Sequence, residues 1–164
     1  MRYHTPENFE DAAAIAASAT GVTRFLAGGT DVLVQLRSDM VTPDDLIDIK
    51  RIVGADAIMQ NADGSWHIGP AVSSAAMHEH AGLSAAWPGV VEAADLIGST
   101  QVQGRCTLAG NLCNGSPAAD SVPAMMAAGA SVSVVGPKGT REIAVEDIPV
   151  SPGKTSLTKG EVVT

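Results

Sequence analysis

Phe25-Leu26-Ala27-Gly28-Gly29-Thr30-Asp31-Val32 places a glycine pair where an apolar run gives way to a helical pattern. Val22 to Ala27 reads as a buried strand, Gly28-Gly29 as a turn, and Asp31 to Arg37 as a helix. Glycines at such a handover let backbone N–H groups converge on a ligand, and a helix start adds partial positive charge. The motif therefore suits a phosphate without needing lysine. The same residues also suit a plain strand-to-helix turn in which Thr30 or Asp31 caps the helix. On its own the motif leaves both readings open.

Upstream, Thr5-Pro6-Glu7 predicts an N-cap, a proline at the first helical position and an acidic first turn. Phe9, Ala12, Ala13 and Ala16 form the apolar stripe, and Gly21 is the stop. Downstream, Leu46 to Ile49 predicts a strand that completes a small α/β lobe, residues 1–52. A second lobe, residues 53–164, opens with a hairpin in which Ala57 to Gln60 and Ser65 to Gly69 flank Asn61-Ala62-Asp63-Gly64. Helices are expected over Ser73 to His80, Pro88 to Ile97 and Ser121 to Ala128. A second hairpin joins Val132–Val135 to Arg141–Val145 through Gly136-Pro137-Lys138-Gly139. Gly160 to Thr164 reads as the start of a strand.

A second polar, glycine-bearing stretch runs from Thr107 to Asp120: Thr107-Leu108-Ala109-Gly110-Asn111-Leu112-Cys113-Asn114-Gly115-Ser116-Pro117-Ala118-Ala119-Asp120. It is expected to be a loop, with little to give a core and many hydrogen-bonding groups to offer a wide ligand carrying a diphosphate. A long structural loop with Asn caps is the competing account.

Composition narrows the classes. Ten Lys plus Arg stand against 18 Asp plus Glu, for a net charge of −8. That balance argues against binding to a nucleic-acid backbone, which depends on basic side chains displacing counterions. Two Phe, two Trp and one Tyr furnish no base-stacking platform. The start has no signal-peptide pattern, and no apolar run approaches the roughly 18 residues of a membrane helix, so a cytoplasmic protein is expected. Cys106 and Cys113 are too few for a disulfide scaffold and lack CxxC spacing. No P-loop ending and no Gly-x-Gly-x-x-Gly is present. His78 and His80, two apart on a helix, face different ways, so no metal site is predicted. Glu142, Glu146 and Asp147 read as a solvated face around a hairpin.

Taken together, Ala27-Gly28-Gly29-Thr30-Asp31, Thr107-Leu108-Ala109-Gly110-Asn111 and Ser116-Pro117-Ala118-Ala119-Asp120 resemble the FAD-binding medium subunit of molybdenum hydroxylases. That group includes xanthine dehydrogenase, aerobic carbon monoxide dehydrogenase and 4-hydroxybenzoyl-CoA reductase. Tyr3 to Phe9, Leu46-Ile47-Asp48-Ile49, His67 to Ser73, Gln101-Val102 and Gly139 to Ile148 are similar to the family framework too. The resemblance implies an α+β, two-lobed FAD-binding fold of the vanillyl-alcohol-oxidase type, with a small N-terminal α/β lobe and a larger lobe built on a mainly antiparallel sheet with flanking helices. It implies cofactor contacts from Phe25, Leu26, Ala27, Gly28, Gly29, Thr30, Asp31 and Val32, and from Thr107, Leu108, Ala109, Gly110 and Asn111. Asp120 matches the acid that helps hold FAD, while Ile97 and Val163 match positions beside the flavin ring. The first loop has no histidine, so the flavin is expected to be non-covalent.

The implied role is electron relay within an oxidoreductase. A molybdopterin large subunit oxidises the substrate, an iron-sulfur small subunit passes electrons to FAD, and NAD, a quinone or another acceptor takes them on. No residue here need serve as acid, base or nucleophile, so no catalytic residue is assigned. Two departures stand out. Ala109 falls where the family usually has glycine, and family members run on for a further domain of order 100 residues, so the C-terminal domain is expected to be absent and this fragment inactive alone. The alternatives are a stand-alone flavin oxidoreductase of the same superfold and a non-redox phosphate-ligand or interaction module.

Overall fold

In the computed structural model, which describes residues 1–164, the chain opens with strand β1 (Arg2–His4) and helix α1 (Phe9–Ser18). The α1 cap is Asn8 and not Thr5, because the Asn8 side chain accepts the Asp11 N–H at 2.7 Å. The helix ends at Ser18 with Ala19 as its C-cap, short of Gly21. Strand β2 (Thr23–Leu26) follows, then the glycine turn, helix α2 (Val32–Arg37) and strand β3 (Asp45–Asp48). These strands form a parallel sheet in the order β1-β3-β2, so β1 and β2 flank β3. The strand β1 had no local signal, since three residues beside a distant partner carry no periodicity of their own.

The Asn61–Gly64 turn joins β4 (Ile58–Gln60) to β5 (Trp66–Ile68) as an antiparallel hairpin, as its residues predict. Helices α3 (Ser74–Glu79), α4 (Ala81–Ala86) and α5 (Pro88–Asp95) come next. The sequence reading did not anticipate α4. His80 ends α3 and also caps α4, its Nδ1 accepting the Leu83 N–H at 3.1 Å. A short α6 (Thr100–Gln103) leads to α7 (Leu108–Asn114).

Helix α7 corrects the expectation of a loop over Thr107–Asp120. The Thr107 hydroxyl accepts the Gly110 N–H at 2.9 Å, and Gly115 closes the helix in the left-handed region at φ 64°. Seven residues between a good N-cap and a C-terminal glycine make a helix that the composition of small polar residues conceals. After it come α8 (Ser121–Ala127), then β6 (Ser131–Gly136) and β7 (Gly139–Ala144) as the expected hairpin. A 3₁₀ turn at Val145–Asp147 precedes a further hairpin, β8 (Pro149–Ser151) with β9 (Lys154–Thr155). The last strand, β10 (Val162–Val163), lies antiparallel to β6, giving the order β10-β6-β7.

Two hydrophobic clusters hold these elements. The larger gathers Met77, Leu83, Val91, Leu112, Met125, Val134 and Ile148 between the helices and the antiparallel sheet. The smaller packs the alanine face of α1 on Ile47 of the parallel sheet and on Ile49 and Ile52 just beyond it, and takes in Val162 of β10. Burial of this apolar area contributes about 25 cal/mol for each Å². No helix is long and apolar enough to cross a membrane.

Candidate functional site

The glycine turn and the start of α7 come together because Gly28 has no side chain. A β-carbon there would lie 1.8 Å from the Arg105 carbonyl oxygen, so only glycine lets β2 run this close to the segment leading into Thr107. Gly29 sits at φ +81°, the left-handed region that turns the chain into α2. Asp31 occupies the α2 N-cap position without a side-chain capping bond, so the capping account of this motif does not explain Asp31.

Between these two loops and the Thr155–Val163 segment runs a cleft of about 630 Å³. Its walls include Phe25, Ala27, Gly28, Gly29, Thr30, Asp31 and Val32 from the first motif, Thr107, Ala109 and Gly110 from the second, and Val163. The remaining candidates lie elsewhere. Leu26 is buried in the interior, and Leu108 packs against the larger cluster. Asn111 turns toward α8, where its Oδ1 accepts the buried Ser121 hydroxyl at 2.7 Å. Exposed Asp120 stands at the start of α8, making no capping bond. Half-buried Ile97 follows α5 and lends its carbonyl to the Cys106 thiol at 3.8 Å.

Electrostatically the cleft is a set of backbone donors. The N–H groups of Gly28, Gly29, Thr30 and Asp31 donate to no protein acceptor, and neither do those of Thr107, Leu108 and Ala109. Gly28 and Thr107 are buried, where an N–H is nearly always paired, so their free donors, with those of half-buried Gly29, Thr30 and Ala109 beside them, suit an anionic or strongly accepting ligand. Thr23, whose Oγ1 is buried without a partner, lines the same cleft. The donor set fits a diphosphate of a nucleotide cofactor. It does not fit a metal, and no cluster of three or more His, Cys, Asp or Glu side chains is suitably placed. Ala109 is accommodated in the first turn of α7, with its N–H free.

Sequence reasoning missed part of the cleft. Gln35 on α2 reaches Asn114 on α7 at 3.4 Å, and both line the cavity. Thr155, Leu157, Thr158, Lys159 and Gly160 form the opposite wall. The Pro152-Gly153 pair was a turn signal that could have revealed the β8–β9 hairpin leading into this wall. Of the two cysteines, Cys113 lines the cleft, whereas Cys106 is buried.

Fold and cleft define a domain that presents free main-chain donors from two loops to one cavity. The family described as the FAD binding domain in molybdopterin dehydrogenase matches residues 1–164, and this chain belongs to it, with FAD as the family's cofactor. It is 30% identical over 161 residues to a xanthine dehydrogenase FAD-binding subunit of Escherichia coli O157:H7, covering 98% of this chain and 55% of the relative. Over 163 residues it is 29% identical to the carbon monoxide dehydrogenase medium chain of Afipia carboxidovorans (strain ATCC 49405 / DSM 1227 / KCTC 32145 / OM5), covering 99% and 56%. The chain thus spans about half the length of the curated relatives it matches. A solved carbon monoxide dehydrogenase from Hydrogenophaga pseudoflava, which lacks the Mo-pyranopterin moiety of its molybdenum cofactor, superposes with a TM-score of 0.94 at 28% identity, over 99% of this chain and 56% of that one. The α+β FAD-binding fold expected from the sequence is the one observed.

Proposed function

We propose that this chain is the FAD-binding part of a molybdenum hydroxylase and holds FAD non-covalently between its two lobes, residues 1–52 and 53–164. The free N–H groups of Gly28 to Asp31 and of Thr107 to Ala109 take the diphosphate, and this convergence of unpaired donors is the observation that carries the reading. Val163, on the cleft wall, flanks the flavin ring, whereas Asp120 and Ile97 lie outside this cleft and would meet the cofactor only where it extends beyond it. Bound FAD supplies a carrier able to exchange one electron or two, which suits a junction between one-electron clusters and a two-electron acceptor.

The chain's own contribution is to bind, orient and shield. Half-buried Phe25 and the buried Ile49 make one wall of the cleft apolar, and Thr30, Gln35 and Asn114 supply polar groups beside it. No side chain is assigned a proton-transfer role. In the whole protein the partners are an iron-sulfur small subunit and a molybdopterin large subunit, with NAD or a quinone as the final acceptor and the cytoplasm as the compartment. The test is assembly of the full-length chain with its cluster and molybdenum subunits, followed by addition of the oxidisable substrate. Bleaching of the flavin absorbance only when the cluster subunit is present supports the relay. Failure of the three to co-purify, or bleaching that needs no cluster subunit, contradicts it.

A further inference from the structure

The wall opposite the glycine turn is a four-residue turn, Thr158-Lys159-Gly160-Glu161, closed by the Glu161 N–H donating to the Thr158 carbonyl at 3.0 Å. Gly160 sits at φ +85°, as the third position of a type II turn requires, and a β-carbon there would also lie 2.7 Å from that of Ala17 on α1. The Lys159 and Gly160 N–H groups donate to no protein acceptor, and both residues line the cleft. Glu161 also lines the cleft, and its carboxylate reaches across β6. Its Oε1 and Oε2 accept from Arg141 Nε and Nη2 at 2.7 and 2.9 Å, and Oε2 also accepts the Thr158 N–H at 2.6 Å. Gly136 makes this crossing possible, because a β-carbon there would lie 2.7 Å from Glu161 Cγ.

We propose that Arg141, outside the cleft on β7, is a positioning residue for the cofactor: through Glu161 it fixes the Thr158–Glu161 turn so that the Lys159 and Gly160 N–H groups stand free at the cleft wall. The bidentate fork is what suits Arg141 to this role, since it fixes both carboxylate oxygens at once and leaves Oε2 oriented toward the Thr158 N–H. Lys159 adds a second tie, donating through Nζ to the Ala19 carbonyl at the end of α1. This inference deepens the reading of the cleft as an FAD site and rests on it.

The experiment is a fluorescence titration of FAD into the purified chain and its variants, with a thermal melt of each in the absence of FAD. Arg141→Met is expected to raise the FAD Kd about tenfold, and Glu161→Gln, which keeps an oxygen for Thr158 and for Arg141, about threefold or less. Arg2→Met, which removes an equally bidentate pair on β1 and β3, serves as the structural control. It should lower the melting temperature and leave Kd unchanged. An Arg141→Met chain that melts lower but binds FAD as the parent does overturns the positioning role and spares the cleft assignment. A parent chain that takes up no FAD contradicts both.

Discussion

The carbonyl oxygen of Arg105 lies 1.8 Å from where a β-carbon of Gly28 would stand, and this one missing side chain lets the two cleft-lining segments close on each other. Without it, the N–H groups of the glycine turn and those of the α7 start would belong to separate surfaces. With it, they line a single cleft.

Gly28→Ala should therefore damage both fold and binding. The obstruction is backbone, not a flexible side chain, so β2 or the Arg105 segment must move, at a cost of about 1–3 kcal/mol. Urea denaturation should show the loss, and FAD affinity should fall with it. Gly29→Ala is strained for a different reason, its positive φ, and should cost about 1–2 kcal/mol.

Thr107→Val removes the hydroxyl that caps α7 while keeping the shape. Loss of the bond to the Gly110 N–H should lower stability by about 1 kcal/mol, and Thr107→Ser should restore it. Thermal melts of the three chains decide the point.

Acid should unfold the chain through two carboxylates. Asp45 is buried beside Arg2 and His4, and the bonds from Arg2 (2.7 Å) and the contact with His4 (2.8 Å) hold its carboxyl well below the usual 3.8. Glu161 is held down to about 2 by Arg141, with the Thr158 N–H assisting. Each is more acidic folded than unfolded, so each contributes fully at neutral pH and loses its contribution as pH falls below about 4 toward the folded value. Denaturation curves between pH 7 and pH 2 should show stability falling in that window. Asp45→Asn should start less stable at pH 7 and show a flatter acid limb.

The diphosphate reading makes a ligand-series prediction. FAD should raise the melting temperature with concentration, by the equivalent of about 2.7 kcal/mol at one hundred times Kd. ADP, which keeps the diphosphate, should compete for the site. Riboflavin, which lacks it, should compete far more weakly, and equal competition by riboflavin and ADP would remove the case for the N–H cradle.

How much of this was legible beforehand depended on whether the signal was local. The Phe25–Val32 handover, the Asn61–Gly64 turn and the Gly136–Gly139 turn carry their chemistry in consecutive residues, and the structure forms each one. Strand β1 exists because Arg2–His4 finds Asp45–Ile47 more than forty residues away, which no window over the first residues reveals. Its pairing also carries the chain past Thr5, so the α1 cap falls at Asn8. Helix α7 hid behind Gly110, Asn111 and Asn114, poor helix formers that caps at both ends hold in place. The Thr158–Gly160 wall was invisible because its shape is set by Arg141, Ala17 and Pro137, all distant in the chain. Reading residues 107–111 as cofactor contacts rested on resemblance to a family. The geometry adds that Thr107, Ala109 and Gly110 line the cleft while Asn111 bonds to Ser121.

The most direct test of the central claim is an ultraviolet-visible spectrum of the purified chain after incubation with FAD and gel filtration, set beside thermal melts over a range of FAD concentrations. The account predicts a retained flavin spectrum and a melting temperature that climbs with FAD. A folded chain that emerges colourless, with a melting temperature indifferent to FAD, would contradict it.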